Sequence, residues 1–271
     1  MTQKIFCFAK REMLGEFIGT FLLVLFGCGA VAVSILFDQY HGIFQMGITW
    51  GIGVTLAIYL TRHLSCAHLN PAVTIAMIAG GRMKPSKILS YLLSQFIGAF
   101  TAGLVVYLLF STAVGEFETL KGIVRGSAES VQTARFLGEY YSTSMWLAIF
   151  AEGFGTFLLV FTIFSLTENC NAGKPSDSLT PLFIGLTVCA IICLIAPLTQ
   201  AGLNPARDFG PRMVAWIMGW GDAAFPDRTG GFFWVYILAP SVGATLAALF
   251  FTKIIEPVMK NKKGGTCDCD K

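Results

Sequence analysis

Six apolar runs punctuate the chain, at 13–37, 43–61, 86–111, 144–167, 179–198 and 232–254. Each holds about 20 or more mostly apolar residues, the length that spans a bilayer as a helix. Backbone groups in lipid must pair within their own segment, so the runs predict helices. The alternating apolar and polar pattern of barrel strands is absent. Two further apolar runs, 71–80 and 205–218, are short, and each begins on an Asn-Pro pair. Ten residues of helix rise about 15 Å, roughly half of a hydrocarbon core. These two runs predict half-helices that stop inside the membrane.

The chain also repeats itself. "EFIGTFLLVLFG" from Glu16 returns as "EGFGTFLLVFTI" from Glu152, an offset of 136, and "HLNPAV" around Asn70 returns as "GLNPAR" around Asn204, an offset of 134. A weaker third pair, "QFIGAFTAG" around Gly98 and "APSVGATLA" around Gly243, has an offset of 145. Three markers in one order at similar spacing indicate duplication. Each half, about 13–111 and 144–254, carries three full spans and one short run. Three is odd, so the second half enters from the opposite face, which makes an inverted repeat. The expected fold class is an all-α membrane protein of six transmembrane helices and two re-entrant half-helices. Residues 1–12 and 255–271 flank this single domain of 13–254 as terminal segments.

Inversion would bring the short runs in from opposite sides so that their N-termini meet near the midplane. Asn is a good N-cap, and Pro at the first helical position loses no hydrogen bond. Asn70, Pro71 and Ala72, with Asn204, Pro205 and Ala206, would therefore set two positive dipole ends and two amide donors at one point. The segments before them would run extended, with carbonyls of Cys66, Ala67, His68, Gln200 and Gly202 as a ladder of acceptors along a pore. Such a site disfavours cations and accepts neutral hydroxyl solutes.

Composition agrees with a lipid environment: 55% of the 271 residues are hydrophobic and 13% charged, against about 25% charged in a soluble domain. The net charge of +3 is small, and the basic residues flank apolar runs, which excludes a nucleic-acid patch. The run 13–37 is too long for a signal-peptide core and reads as a retained first span. Thirteen basic residues fall on the side of the two termini and six on the other, so both termini are expected in the cytoplasm. An inner membrane of a bacterial or archaeal cell is the expected location. Eight cysteines do not form a disulfide scaffold, and Cys267 and Cys269 are too few for a closed zinc site. No metal or cofactor is expected.

The doubled Asn-Pro-Ala resembles the major intrinsic protein family, the aquaporins and aquaglyceroporins, over about residues 10–255. "NPARDFGPR", "IVRGSAESV" and the Asp208 after Arg207 resemble its glycerol facilitator branch. The resemblance implies one pore per subunit, a homotetramer, and a constriction formed by Trp50, Ile192, Ala201 and Arg207. In that ring Arg207 would donate to solute hydroxyls and repel cations, and Trp50 would form a flat apolar wall. The water-only branch has a His where Ile192 stands; glycerol facilitators have Gly and Phe at the places of Ile192 and Ala201, and this set is closer to a plant nodulin-like branch. Tyr236-Ile237 departs from a common Pro-Leu. The expected function is a passive channel for glycerol and other small neutral solutes, urea or ammonia among them, with some water flow.

Acidic residues within spans are costly. Glu16 and Glu152 read as acceptors for the re-entrant loops, as in the family, with Asp208 as a third supporting acid. Proton relay by the glutamates would instead make an ion-coupled transporter. A water-selective pore is a further alternative. No Ser-His-Asp set and no phosphate loop is present, so no enzyme is expected. His68 is expected to order backbone, and Gly19, Gly98, Gly155 and Gly243 to let helices approach.

Overall fold

The computed structural model describes residues 2–225, 227 and 230–261. Cys267 and Cys269 lie outside the described residues. The elements, in chain order, are α1 (Thr2–Phe37), α2 (Ile43–Thr61), α3 (Pro71–Ala79), α4 (Ile88–Lys121), the single turn α5 (Val131–Ala134), α6 (Met145–Thr167), α7 (Thr180–Thr199), α8 (Pro205–Ala215) and α9 (Gly231–Lys260). Helices α1, α2, α4, α6, α7 and α9 are long and apolar enough to cross a membrane. α3 and α8 are the half-helices.

Packing follows the inverted repeat. α1 lies against α2 and α4, as α6 lies against α7 and α9, and α2 meets α7 at the centre. Each half-helix packs on the fourth helix of the other half, α8 on α4 and α3 on α9. The two halves therefore interlock, and neither builds its own core alone.

Small residues set how closely the helices approach. A Cβ on Gly98 would lie 2.5 Å from the Phe17 carbonyl oxygen, and one on Gly243 would lie 1.9 Å from that of Gly153. These are helix–helix contacts of backbone on backbone. Gly19 and Gly155 differ from the expectation. A Cβ on Gly19 would meet the Leu69 side chain at 2.3 Å, and one on Gly155 would meet the side chains of Ile195 at 2.7 Å and Leu203 at 2.8 Å. Both glycines make room for the leucine that precedes a half-helix asparagine.

α4 runs ten residues beyond the expected end at Ser111, to Lys121, where Gly122 closes it at φ +65°. Hydropathy marks the boundary of lipid, whereas a helix ends where a left-handed cap stops it. The polar turns around Glu116 and Glu118 continue the helix past the apolar run.

Candidate solute pathway and its constriction

Asn70 caps α3 by accepting from Ala72 N–H at 2.8 Å, and Asn204 caps α8 by accepting from Ala206 N–H at 3.1 Å and Arg207 N–H at 3.2 Å. Pro71 and Pro205 occupy the first helical positions. The two caps also tie the halves together. Asn70 Nδ2 donates to the Leu203 carbonyl at 2.9 Å, and Asn204 Nδ2 donates to the Leu69 carbonyl at 2.8 Å. One N–H of each amide is thus spent across the pseudo-twofold axis, and one remains. Both asparagines line a cavity of about 170 Å³.

The segments before the caps are held by buried carboxylates. Glu16 accepts from His68 N–H at 3.0 Å, Leu69 N–H at 2.8 Å, Ser65 Oγ at 2.8 Å and Gln95 Nε2 at 2.7 Å. Glu152 accepts from Gly202 N–H at 2.8 Å and Leu203 N–H at 2.7 Å. Hydroxyls add a matching pair: Ser65 Oγ accepts from Ala67 N–H, and Thr199 Oγ1 accepts from Ala201 N–H. Ala67, Leu69, Ala201 and Leu203 sit at φ +50°, +54°, +60° and +57°, a region non-glycine residues enter only when the surroundings over-determine it. The carboxylates supply that constraint. In a trans peptide the C=O points opposite to the N–H. With the His68 and Gly202 N–H groups turned to carboxylates, the Ala67 and Ala201 carbonyls point away from them. Cys66, Ala67, His68, Ala201 and Gly202 line the cavity.

Gln200 is not among the lining residues. Its side-chain oxygen accepts instead from Tyr140 N–H at 2.8 Å, in the segment that follows α5. The His68 ring rests against the Tyr91 ring at 5.0 Å, and its Nδ1 lies 3.3 Å from Thr74 Oγ1.

Trp50, Ile192, Ala201 and Arg207 are all buried and all line the same cavity. The Arg207 guanidinium lies 4.1 Å from the centre of the Trp50 ring. Its Nη1 makes an ion pair with Glu139, which is itself buried. Sequence reasoning missed this partner. Glu139 stands in a polar stretch between α4 and α6 with no periodic pattern around it, and only its place in the fold brings it to Arg207. Its peptide is clamped by α8: Asp208 Oδ1 accepts from Glu139 N–H at 2.8 Å, and Arg212 Nη2 donates to the Glu139 carbonyl. Asp208 and Arg212 are themselves a fully buried i,i+4 ion pair at 2.7 Å. Asp208 therefore holds the Glu139 backbone and, through it, the partner of Arg207.

A second cavity, of about 300 Å³, is lined by Glu139, Tyr140, Tyr141, Arg212, Asp227 and the aromatic residues Phe232 and Tyr236. Tyr141 lies outside the spans and is hydrogen-bonded to Asp227. Burial, reinforced by that carboxylate, pushes its phenol up to about 12, so it stays neutral at ordinary pH. The two cavities share no lining residue, and the Glu139–Arg207 pair joins a wall of one to a wall of the other.

A sequence profile described as Major intrinsic protein matches residues 3–251. The chain is 39% identical to the propanediol uptake facilitator of Citrobacter freundii, over 96% of this chain and 97% of that protein. It is 41% identical to the glycerol uptake facilitator protein of Escherichia coli (strain K12), over 91% of this chain and 88% of that protein. Among solved structures, the aquaglyceroporin from Plasmodium falciparum superposes with a TM-score of 0.82 at 28% identity, covering 93% of this chain and 99% of that one. Two Asn-capped half-helices meeting at one cavity, inside six spans in inverted halves, already carried the resemblance, and the profile spans nearly the whole of it: this chain belongs to the major intrinsic protein family.

Proposed function

We propose that this chain is a passive channel for glycerol and other small neutral solutes, with some water permeation. The observation that carries this reading is the meeting of Asn70 and Asn204 at one cavity, each at the N-terminus of a half-helix. Each has one amide N–H beyond its cross-link to donate to a passing oxygen. Two positive helix ends at the same point oppose a cation or a proton. Carbonyls of the extended segments accept from the same solute on the other side. A hydroxyl solute can exchange its water contacts for these groups and leave again without a chemical step.

The selectivity filter in this reading is Trp50, Ile192, Ala201 and Arg207. Support comes from their burial around one cavity and from the chemistry of the set. Arg207 offers donors, Trp50 and Ile192 offer apolar wall, and a polyol has one face of each kind. Similarity to glycerol and propanediol facilitators points to the same solute class. Glu16 and Glu152 serve as loop supports, since their oxygens are committed to loop donors. That commitment weighs against proton-coupled transport.

The chain would sit in an inner membrane with both termini in the cytoplasm. Six basic residues of the sequence fall on the far side, two of which, Arg207 and Arg212, are buried in protein, against thirteen on the side of the termini. The family resemblance adds a homotetramer, each subunit with its own pore. Stopped-flow light scattering on proteoliposomes tests the function: glycerol re-swelling faster than in empty vesicles, unaffected by collapse of proton and sodium gradients, is expected. Fast water shrinkage without glycerol entry would make the channel water-selective, and loss of flux with the gradients would make it a coupled transporter.

A further inference from the structure

We propose that Glu139 is a specificity-determining residue of the constriction and that, with Arg207, it selects vicinal diols. This rests on the reading of Arg207 as a filter residue. The ion pair leaves the Arg207–Glu139 unit with no net charge, so the ring does not act as a bare cation. One Glu139 oxygen is bound to Arg207, and among the described residues no partner bonds the other. Glu139 lines the second cavity and Arg207 the first. A solute at this boundary would meet a carboxylate acceptor and guanidinium donors that are already in contact.

That pair fits two hydroxyls on adjacent carbons. In the gauche form of a 1,2-diol the two oxygens lie about as far apart as the atoms of a hydrogen bond. One hydroxyl can donate to Glu139 while the other accepts from Arg207, and neither charged group loses a partner without gaining one. A 1,3-diol must fold over an extra methylene to make the same two bonds. Trp50 and Ile192 beside the pair leave an apolar wall for the third carbon, which serves a methyl or a hydroxymethyl group. The arrangement is built to hold position. Asp208 and Arg212 clamp the Glu139 peptide from both ends, and the Trp50 ring backs the guanidinium. A rigid donor–acceptor pair is what discrimination between isomers requires, because a loose one would adapt to both.

The test compares two isomers of equal size, 1,2-propanediol and 1,3-propanediol, in proteoliposomes of the full chain. The wild-type protein should pass the 1,2 isomer about tenfold faster, the worth of one charge-assisted hydrogen bond kept or lost at the constriction. Glu139→Gln, which keeps shape and removes the charged acceptor, should bring the ratio close to one while polyol flux stays above that of empty vesicles. Glu139→Asp, which draws the carboxylate back by one methylene, should fall between them. A wild-type ratio in either variant overturns the inference, and so does a wild-type protein that conducts both isomers equally. If Glu139→Gln does not reconstitute, the aspartate variant decides alone. Wild-type vesicles that pass water but neither polyol overturn the glycerol-channel reading first, an outcome distinct from loss of isomer preference.

Discussion

The two ends of the first cavity are built from equivalent positions and carry different chemistry. The repeat offset of 134 pairs Trp50 with Ile184, Ile192 with Ile58, Ala201 with Ala67 and Arg207 with Val73. All eight residues line the cavity. At these four pairs of positions, one end has an indole and a guanidinium where the other has only aliphatic side chains. The half-helices differ in the same way. Asp208 and Arg212 of α8 correspond to Thr74 and Ile78 of α3. What the halves share is the frame, namely a buried glutamate, an asparagine cap, and a leucine at positive φ beneath it. At the positions of Arg207, Asp208 and Arg212 and their counterparts Val73, Thr74 and Ile78, the charge stands on one side only. Duplication explains the symmetric frame, and divergence explains why the two ends differ in chemistry.

The largest expected effect lies in the shared frame. Glu16→Ala leaves two loop N–H groups, the Ser65 hydroxyl and one N–H of the Gln95 amide without an acceptor, whereas Glu152→Ala leaves the two N–H groups of Gly202 and Leu203. An orphaned buried donor costs about 1–3 kcal/mol, so both variants should lose on the order of 5 kcal/mol, Glu16→Ala the more. Thermal unfolding in detergent measures this. Equal stability of both variants with the wild type would show that the positive-φ segments hold themselves.

Next come the added charges. Asp208→Ala strands a fully buried Arg212 and frees the Glu139 peptide, a loss of about 3–5 kcal/mol. The equivalent change in the first half, Thr74→Val, removes hydrogen bonds with Gln95, the Asn70 carbonyl and the His68 ring and strands no buried charge, at about 1 kcal/mol. Comparable midpoints for the two variants would break the claim that the halves differ in electrostatic cost.

Arg207→Val makes the two ends alike at that position, since Val73 is its equivalent. It also leaves Glu139 as an uncompensated carboxylate. Cation and proton leak should rise by at least tenfold in a pH-dye assay on vesicles, because a lone acid attracts what the pair did not. The double variant Arg207→Val with Glu139→Gln should reduce that leak again. A leak equal in both would assign cation exclusion to the half-helix ends instead.

Much of the frame was legible in the sequence because it rests on long periodic runs and on a duplicated Asn-Pro. Length against bilayer thickness decides between a span and a half-helix, and Asn-Pro marks a helix start by local chemistry alone. The charged end was legible only in part. Arg207 and Asp208 sit inside the repeat, so they stand out against Val73 and Thr74. Glu139 sits outside it, in a segment with no counterpart in the other half, and no periodicity announces a residue placed by a loop. The same holds for Gly51 and Gly185, each of which would put a Cβ within 2.6 Å of the other's carbonyl oxygen. Symmetry at the offset of 134 would have found that pair, but one glycine in an apolar span carries no signal by itself.

The smallest expected effect concerns size. Trp50 packs so closely on α1 that a Cβ on Gly27 would lie 2.2 Å from its ring, and the Arg207 guanidinium lies 4.1 Å from the ring centre. Trp50→Ala removes the wall and the cation–π contact, which is worth about 0.5–2 kcal/mol. Two consequences follow, and both lower selectivity. The opening widens, so four- and five-carbon polyols should enter, and Arg207 loses its backing, so the preference among three-carbon solutes should weaken by a few-fold at those energies. Ile184→Ala, at the equivalent position of the other end, should widen only an aliphatic stretch and leave the size limit where it was. Re-swelling rates for glycerol, erythritol and xylitol in the two variants separate these outcomes. Entry of erythritol through Trp50→Ala alone would locate the narrowest point at the charged end; entry through neither would place it between the ends, at the asparagines that the two halves share.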